Sequence, residues 1–224
     1  MPRTKLSERT LPDYTRGEEI FNTVSHIAGG AVGLAALVAC VVVAALHKNI
    51  WGVVSGAVFG AMMILLYTAS SIYHALKPGS MAKRVFQVLD HCTIFVLIAG
   101  TYTPLTLVSI RGESVWLGWT VFGVIWAMAA LGIALNAVDL KRYRVFSMIC
   151  YLCMGWCVVL TWRVTARAVT PDGMLLMLLG GIFYTLGAVL YAIGSKKRYF
   201  HSVFHLFVVA GSVMHALCIA LFVM

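Results

Sequence analysis

The residues able to do chemistry in this chain are few, and they stand inside or at the edges of long apolar runs. Four groups stand out: Glu19-x-x-Asn22-x-x-x-His26, Ser70-x-x-x-His74, Asp90 followed by His91, and His201-x-x-x-His205. A helix advances about 100° per residue, so positions i and i+4 share a face. Ser70 with His74, Asn22 with His26 and His201 with His205 therefore each point one way. Glu19, three residues before Asn22, joins its face. Ionisable groups are expensive in lipid and are functional candidates by default. Three imidazoles and a carboxylate in an apolar pocket suit zinc, because a catalytic zinc takes three protein ligands and keeps a fourth position for water. Zinc brings the pKa of that water to about 7, and a neighbouring carboxylate orients it or carries its proton. A histidine pair at i, i+4 completed by a third histidine from elsewhere is a common zinc arrangement. We read His74, His201 and His205 as ligands and Asp90 as the group on the water, with Glu19, Asn22 and His26 supporting the ligands from outside. The alternative at this point is a hydrogen-bonded cluster that staples helices together without a metal.

The elements that carry these residues follow from composition. The 224 residues are 61% hydrophobic and 11% charged, with a mean hydropathy of +0.92. A soluble domain has roughly 45–50% apolar and about 25% charged residues, and a water-soluble chain of this length could not hide so much apolar surface. Runs of spanning length cover Val24–Leu46, Trp51–Leu76, Phe86–Val108, Trp116–Val138, Val145–Trp162, Met174–Ile193 and Phe200–Met224. Only helices or closed barrels satisfy the backbone in hydrocarbon, and the runs lack the alternation of barrel strands. The expected fold is an all-α integral membrane protein of seven transmembrane helices. It forms one domain over residues 1–224, with a polar cytoplasmic segment over 1–19.

Basic residues set the orientation. Of the 17 Lys and Arg, thirteen fall on one side: Arg3, Lys5, Arg9, Arg16, Lys77, Lys83, Arg84, Lys141, Arg142, Arg144, Lys196, Lys197 and Arg198. Lys48, Arg111, Arg163 and Arg167 fall on the other. The rule that positive loops stay inside puts the N-terminus in the cytoplasm and the C-terminus outside. The net charge of +9 is then a topology signal and an affinity for anionic headgroups, and it requires no nucleic acid. Depth follows from orientation. Glu19, Asn22, His26, His74, Asp90, His201 and His205 all come within about 10 Å of the inner interface, on four different helices.

Other polar residues read more plainly. His91 is expected to bond a neighbouring helix and His215, some 21 Å deeper than His201, to make an interhelical hydrogen bond. His47 reads as a solvated loop residue. Gly100 and Pro104 should loosen the third span, with Thr101 and Thr103 satisfying the freed backbone. Gly29, Gly30 and Gly33 read as close helix packing. The six cysteines all lie in spans and read as free, small hydrophobes.

Taken together, Glu19-x-x-Asn22-x-x-x-His26, Ser70-x-x-x-His74, Asp90-His91, the run Ala99-Gly100-Thr101-Tyr102-Thr103-Pro104 and His201-x-x-x-His205 with His215 beyond resemble the hemolysin III family. That family is the bacterial branch of the progestin and adipoQ receptor superfamily. The resemblance runs from Glu18 to the last span. It implies seven helices and a cytoplasm-side zinc site ligated at His74, His201 and His205, with Asp90 holding the zinc-bound water and Ser70 close by; Asp90 and Ser70 are the catalytic candidates. Related members look like amide hydrolases of ceramide-type lipids. The long cytoplasmic N-terminal region of the eukaryotic receptors is lacking here, which weighs against receptor function.

Three functions compete. A zinc-dependent hydrolase of a lipid amide or ester bond, in the bacterial inner membrane and with membrane lipids as partners, explains the composition and depth of the cluster. A pore or cytolysin, as the family name suggests, predicts a polar stripe crossing the membrane, whereas the polar density lies only at the inner end. A sensor or regulator of membrane state would use zinc to fix the fold.

Overall fold

The first long helix begins at a capping box. Thr15 Oγ1 accepts from the Glu18 backbone N–H at 3.3 Å, and the Glu18 carboxylate accepts from the Thr15 backbone N–H at 2.8 Å, satisfying two donors that a helix start leaves orphaned. In the computed structural model, which describes residues 4–194 and 197–224, this start places α1 over Arg16–Leu46. Asn49 caps α2 (Ile50–Ala75), Ser80 caps α3 (Met81–Glu113), and Thr170 with Pro171 opens α6 (Pro171–Ile193). The others are α4 (Val115–Asp139), α5 (Arg144–Ala168) and α7 (Phe200–Phe222). Seven helices among the described residues are long and apolar enough to cross a membrane, as expected. Arg3 and Lys196 of the charge count lie outside the described residues.

The helices reach further than the apolar runs. α1 starts eight residues before Val24, which brings Glu19 and Asn22 into the helix, and α3 continues to Glu113 through a segment expected to be a polar break. Apolar counting ends a span where the interfacial zone begins, but a backbone entering that zone still gains from intrahelical hydrogen bonds.

α1 packs along α2, α2 along α3, α3 along α4, α6 along α7, and α7 returns to α1. Glycine permits the closest approach. A Cβ at Gly60 would fall on Leu37 of α1, and one at Gly33 would stand 3.0 Å from Met63 of α2. The Gly29–Gly33 run is thus helix packing, as read from the sequence. Phe59, Met63, Tyr67, Phe95 and Ile125 fill the centre, while Leu34, Val38, Trp116 and Leu160 face outward, where lipid is the solvent.

Among the described residues two helices are interrupted, and both interruptions adjoin the interior. Pro104 lacks an N–H, and α3 passes into a wide π-helical turn over Leu105–Ile110. Thr101, Thr103 and Thr106 donate to carbonyls of the preceding turn at 2.8–2.9 Å, the loosening expected there. α5 carries a break the sequence did not announce, with a 3-10 turn over Cys157–Thr161 after Gly155. Tyr102 of α3 repairs it by donating its hydroxyl to Gly155 O at 2.8 Å and accepting from Val158 N–H at 2.9 Å.

Candidate metal centre

His74 ends α2, and His201 and His205 lie in the first two turns of α7. Their placement is set by contacts between helix ends. Tyr199, just before α7, adopts a left-handed backbone with φ 62°, uncommon for a non-glycine residue. Its N–H donates to Glu18 Oε1 at 2.6 Å, and Arg198 lies 3.5 Å from the same carboxylate. The residue that caps α1 thereby also fixes the entry to α7, and with it His201.

The three histidines converge. His201 Nε2 lies 3.0 Å from His205 Nε2 and 3.4 Å from His74 Nε2, and one ligand atom from each ring lies within 4.8 Å of the other two. His74 and His205 are buried and His201 is partly exposed. Glu19 Oε2 stands 2.7 Å from His74 Nδ1. A carboxylate only accepts, so Nδ1 carries the hydrogen and Nε2 presents a lone pair. The Ser25 hydroxyl donates to Asn22 O at 3.0 Å, and its oxygen lies 3.5 Å from His205 Nδ1, an outer contact on the second ligand candidate.

These residues fit a zinc ion. Nitrogens bound tetrahedrally at about 2.0–2.1 Å stand about 3.3–3.4 Å apart, close to the two Nε2 separations above. At most one hydrogen can lie between any two of the facing nitrogens, and His74 has none to offer on that side. One hydrogen on His201 Nε2 could serve one of these contacts fully, whereas a cation would engage all three lone pairs at once. The carboxylate–histidine pair of Glu19 and His74 is the outer arrangement that metal-ligating histidines ordinarily have.

The remaining predicted residues are distributed around this centre. Asn22 is fully buried, with its amide nitrogen 3.4 Å from His74 Nδ1. His26 stacks face to face on His205, with ring centroids 3.6 Å apart, and both of its nitrogens are buried without a hydrogen-bond partner. Support from His26 is therefore ring contact rather than a hydrogen bond. Ser70 is buried with an unpartnered hydroxyl. Ser70, His26 and Asp90 share with His201 and His205 the wall of a cavity of about 160 Å³. Asp90 is half-buried, with His91 Nδ1 3.8 Å from its carboxylate.

Beyond this polar end the cavity wall is mainly apolar, with Leu66, Ile94, Leu97 and Val208 among its residues and Thr101, Thr185 and His215 as polar exceptions. A smaller cavity of about 40 Å³ adjoins it past Tyr102 and Trp156, at the break in α5. His91 bonds Tyr191 of α6 at 3.3 Å and His215 bonds Met177 O at 3.1 Å, the interhelical roles expected of both. His47 is exposed, with Nδ1 3.1 Å from Met224 O.

Two residues at the centre were not singled out from the sequence. Tyr14 lies just ahead of α1, its ring stacked on His201 at 5.0 Å and tilted against His74 at 5.7 Å. Burial first, then neighbouring Tyr73 and Tyr191, push its phenol well above the ordinary value, so it stays a neutral hydroxyl. Lys83 was counted among the loop cations, yet it is 1% exposed and its ammonium lies 2.8 Å from Glu19 Oε1. Its signal was available: Lys83 stands seven residues, two turns, before Asp90 and so on the same face of α3.

The family model described as "Haemolysin-III related" matches residues 14–216. "Hemolysin-3" of Bacillus cereus is 36% identical over 207 residues, 92% of each chain. The "Hemolysin-3 homolog" of Bacillus subtilis (strain 168) is 34% identical over 206 residues, 92% of this chain and 94% of its own. The human "Monocyte to macrophage differentiation factor" is 27% identical over 175 residues, 76% of this chain and 71% of its own. The chain is a multi-pass membrane protein that belongs to the haemolysin-III family, within the progestin and adipoQ receptor superfamily.

Proposed function

We propose that this protein is a zinc-dependent hydrolase of a lipid amide or ester bond, with its centre near the cytoplasmic face of the bacterial inner membrane. The observation that carries this reading is the position of the three histidines. Their nitrogens meet beside a cavity that His201 and His205 line together with Ser70 and Asp90 and whose other walls are mainly apolar, so a head group and its acyl chain would find matching surroundings. His74, His201 and His205 would hold the zinc. When bound, the ion supplies Lewis acidity that brings water to a pKa of about 7.

Asp90, on the cavity wall, accepts the proton of the attacking water and passes it to the leaving group. The Ser70 hydroxyl, buried and unpartnered, is free to hydrogen-bond the lipid carbonyl. Tyr14 covers the ligands on the side where α1 begins and keeps bulk water from the centre. Glu19 holds His74 through Nδ1, the buried Asn22 packs beside that contact, and His26 supports His205 through its ring face.

The relatives named hemolysin suggest a cytolysin as the second reading. The mainly apolar wall of the cavity speaks for an acyl chain rather than an aqueous path.

Two experiments test this. Wild type and Asp90→Asn, purified in detergent, are assayed on ceramide-like, acyl-amide and ester lipids. Asp90→Asn should keep its zinc and lose turnover by about 10²–10⁴-fold, the usual contribution of a positioned acid–base group. Absence of zinc-dependent turnover by wild type across that panel would favour a regulator whose zinc is structural. For orientation, a reporter active only outside the cytoplasm should work when fused after Met224 and fail after Arg144; the reverse pattern would invert the topology.

A further inference from the structure

Lys83 has an unusual set of partners for a lysine at a helix start. Its Nζ donates to the carbonyls of Tyr73, His74 and Leu76 at 2.9, 3.3 and 3.1 Å, and it lies 2.8 Å from Glu19 Oε1. It also sits over the Tyr73 ring, 4.9 Å from its centroid. An ammonium has three hydrogens and no acceptor, so these four oxygens use it completely. The three carbonyls belong to the C-terminal end of α2, where a helix leaves its acceptors unpaired and where a cation is favoured.

Two routes connect this ammonium to His74. One is direct, through the His74 carbonyl. The other runs through Glu19, whose Oε1 faces Lys83 while its Oε2 faces His74 Nδ1 at 2.7 Å. Backbone and ring of one candidate ligand are thus held from a single point, across α1, α2 and α3. A carboxylate shared between a buried ammonium and an imidazole has one oxygen for each and is fixed in rotation.

We infer that Lys83 is a positioning residue of the metal centre: it holds Glu19 so that His74 presents Nε2 to the ion. A helix cap alone would require the three carbonyls and would not require Glu19. The inference rests on the metal reading of the three histidines, but not on any lipid substrate.

The test uses the full chain in detergent and the metal ions themselves. Zinc affinity is measured by competition with a chelator of known strength, and cobalt is loaded in place of zinc to record its visible spectrum. Lys83→Met should weaken zinc binding by about 10–100-fold, the usual loss when an outer partner of a metal ligand is removed, and should change the cobalt spectrum. Lys83→Gln, which can still donate to the carbonyls, should lose affinity as well. Glu19→Gln should match Lys83→Met, and Glu19→Gln/Lys83→Met should lose no more than Glu19→Gln alone, because the two act in series.

Losses that multiply in the double variant, or a lower melting temperature with unchanged zinc affinity and cobalt spectrum, would overturn the proposal and leave Lys83 as a helix cap. If the Lys83 variants do not insert, Glu19→Gln still decides, since wild-type affinity in that variant breaks the route to His74. Wild type that binds no metal would overturn this proposal together with the metal reading. Wild type that binds zinc without hydrolysing any lipid would leave this proposal standing and remove the hydrolase.

Discussion

α7 carries histidines in two settings. His205, in its second turn, meets two other imidazoles, stacks on His26 and lies near Ser25. His215, ten residues on, meets one carbonyl, Met177 O, and the ring of Tyr184. Both line the same cavity. What separates them is company rather than residue type. At the first position a carboxylate and a hydroxyl address outer ring nitrogens of the cluster, leaving inner nitrogens to face one another. At the second a carbonyl accepts from Nε2, and Nδ1 is buried without a hydrogen-bond partner, outside the group of three histidines that converge. A histidine in a membrane helix becomes a candidate ligand when other imidazoles bring their ring nitrogens to the same point.

The largest expected effect sharpens this contrast directly. His74→Ala, His201→Ala or His205→Ala should each lose most of the zinc in elemental analysis, a weakening of more than about 100-fold and beyond the range for outer partners. His215→Ala should keep the metal and lose only stability, about 0.5–1.5 kcal/mol for the interhelical hydrogen bond, read as a lower melting temperature. If His215→Ala empties the centre while His205→Ala keeps it, the contrast is reversed.

A smaller effect concerns the cover. Tyr14 lies on His201 and His74 on the side where α1 begins. Tyr14→Ala should let a water-soluble chelator strip zinc about tenfold faster while the equilibrium affinity changes little, because the ring makes no bond to the ion. An unchanged stripping rate would show that access to the centre runs elsewhere.

Much of this was legible in the sequence, and for physical reasons. His201 with His205 and Ser70 with His74 obey the helical period, and the span count places their ends at one level without reference to any motif. Seven spans could be counted because hydrocarbon demands long apolar runs. Helix ends were less readable. Glu113 and Arg16 are polar and stop an apolar count, although the helices continue past Ser109 and begin before Val24.

The break in α5 carries no proline. It is stabilised by Tyr102, a residue of another helix, and a partner so distant in sequence leaves no local trace. Lys83 was lost to a different ambiguity, since a lysine between two spans reads first as a topology marker. Only its spacing from Asp90 hinted at an inward face. Tyr14 precedes the Thr15–Glu18 capping box, which fixes where α1 starts, but nothing in the chain announced that its ring would reach across to α7.

The central claim is that three imidazole nitrogens hold one zinc ion. X-ray absorption at the zinc edge of the purified wild-type protein tests it most directly. About one zinc per chain should appear, with only nitrogen and oxygen neighbours at about 2.0–2.1 Å and the multiple-scattering pattern of three imidazoles. Absence of stoichiometric metal, or sulfur neighbours at about 2.3 Å from any of the six cysteines, would contradict it.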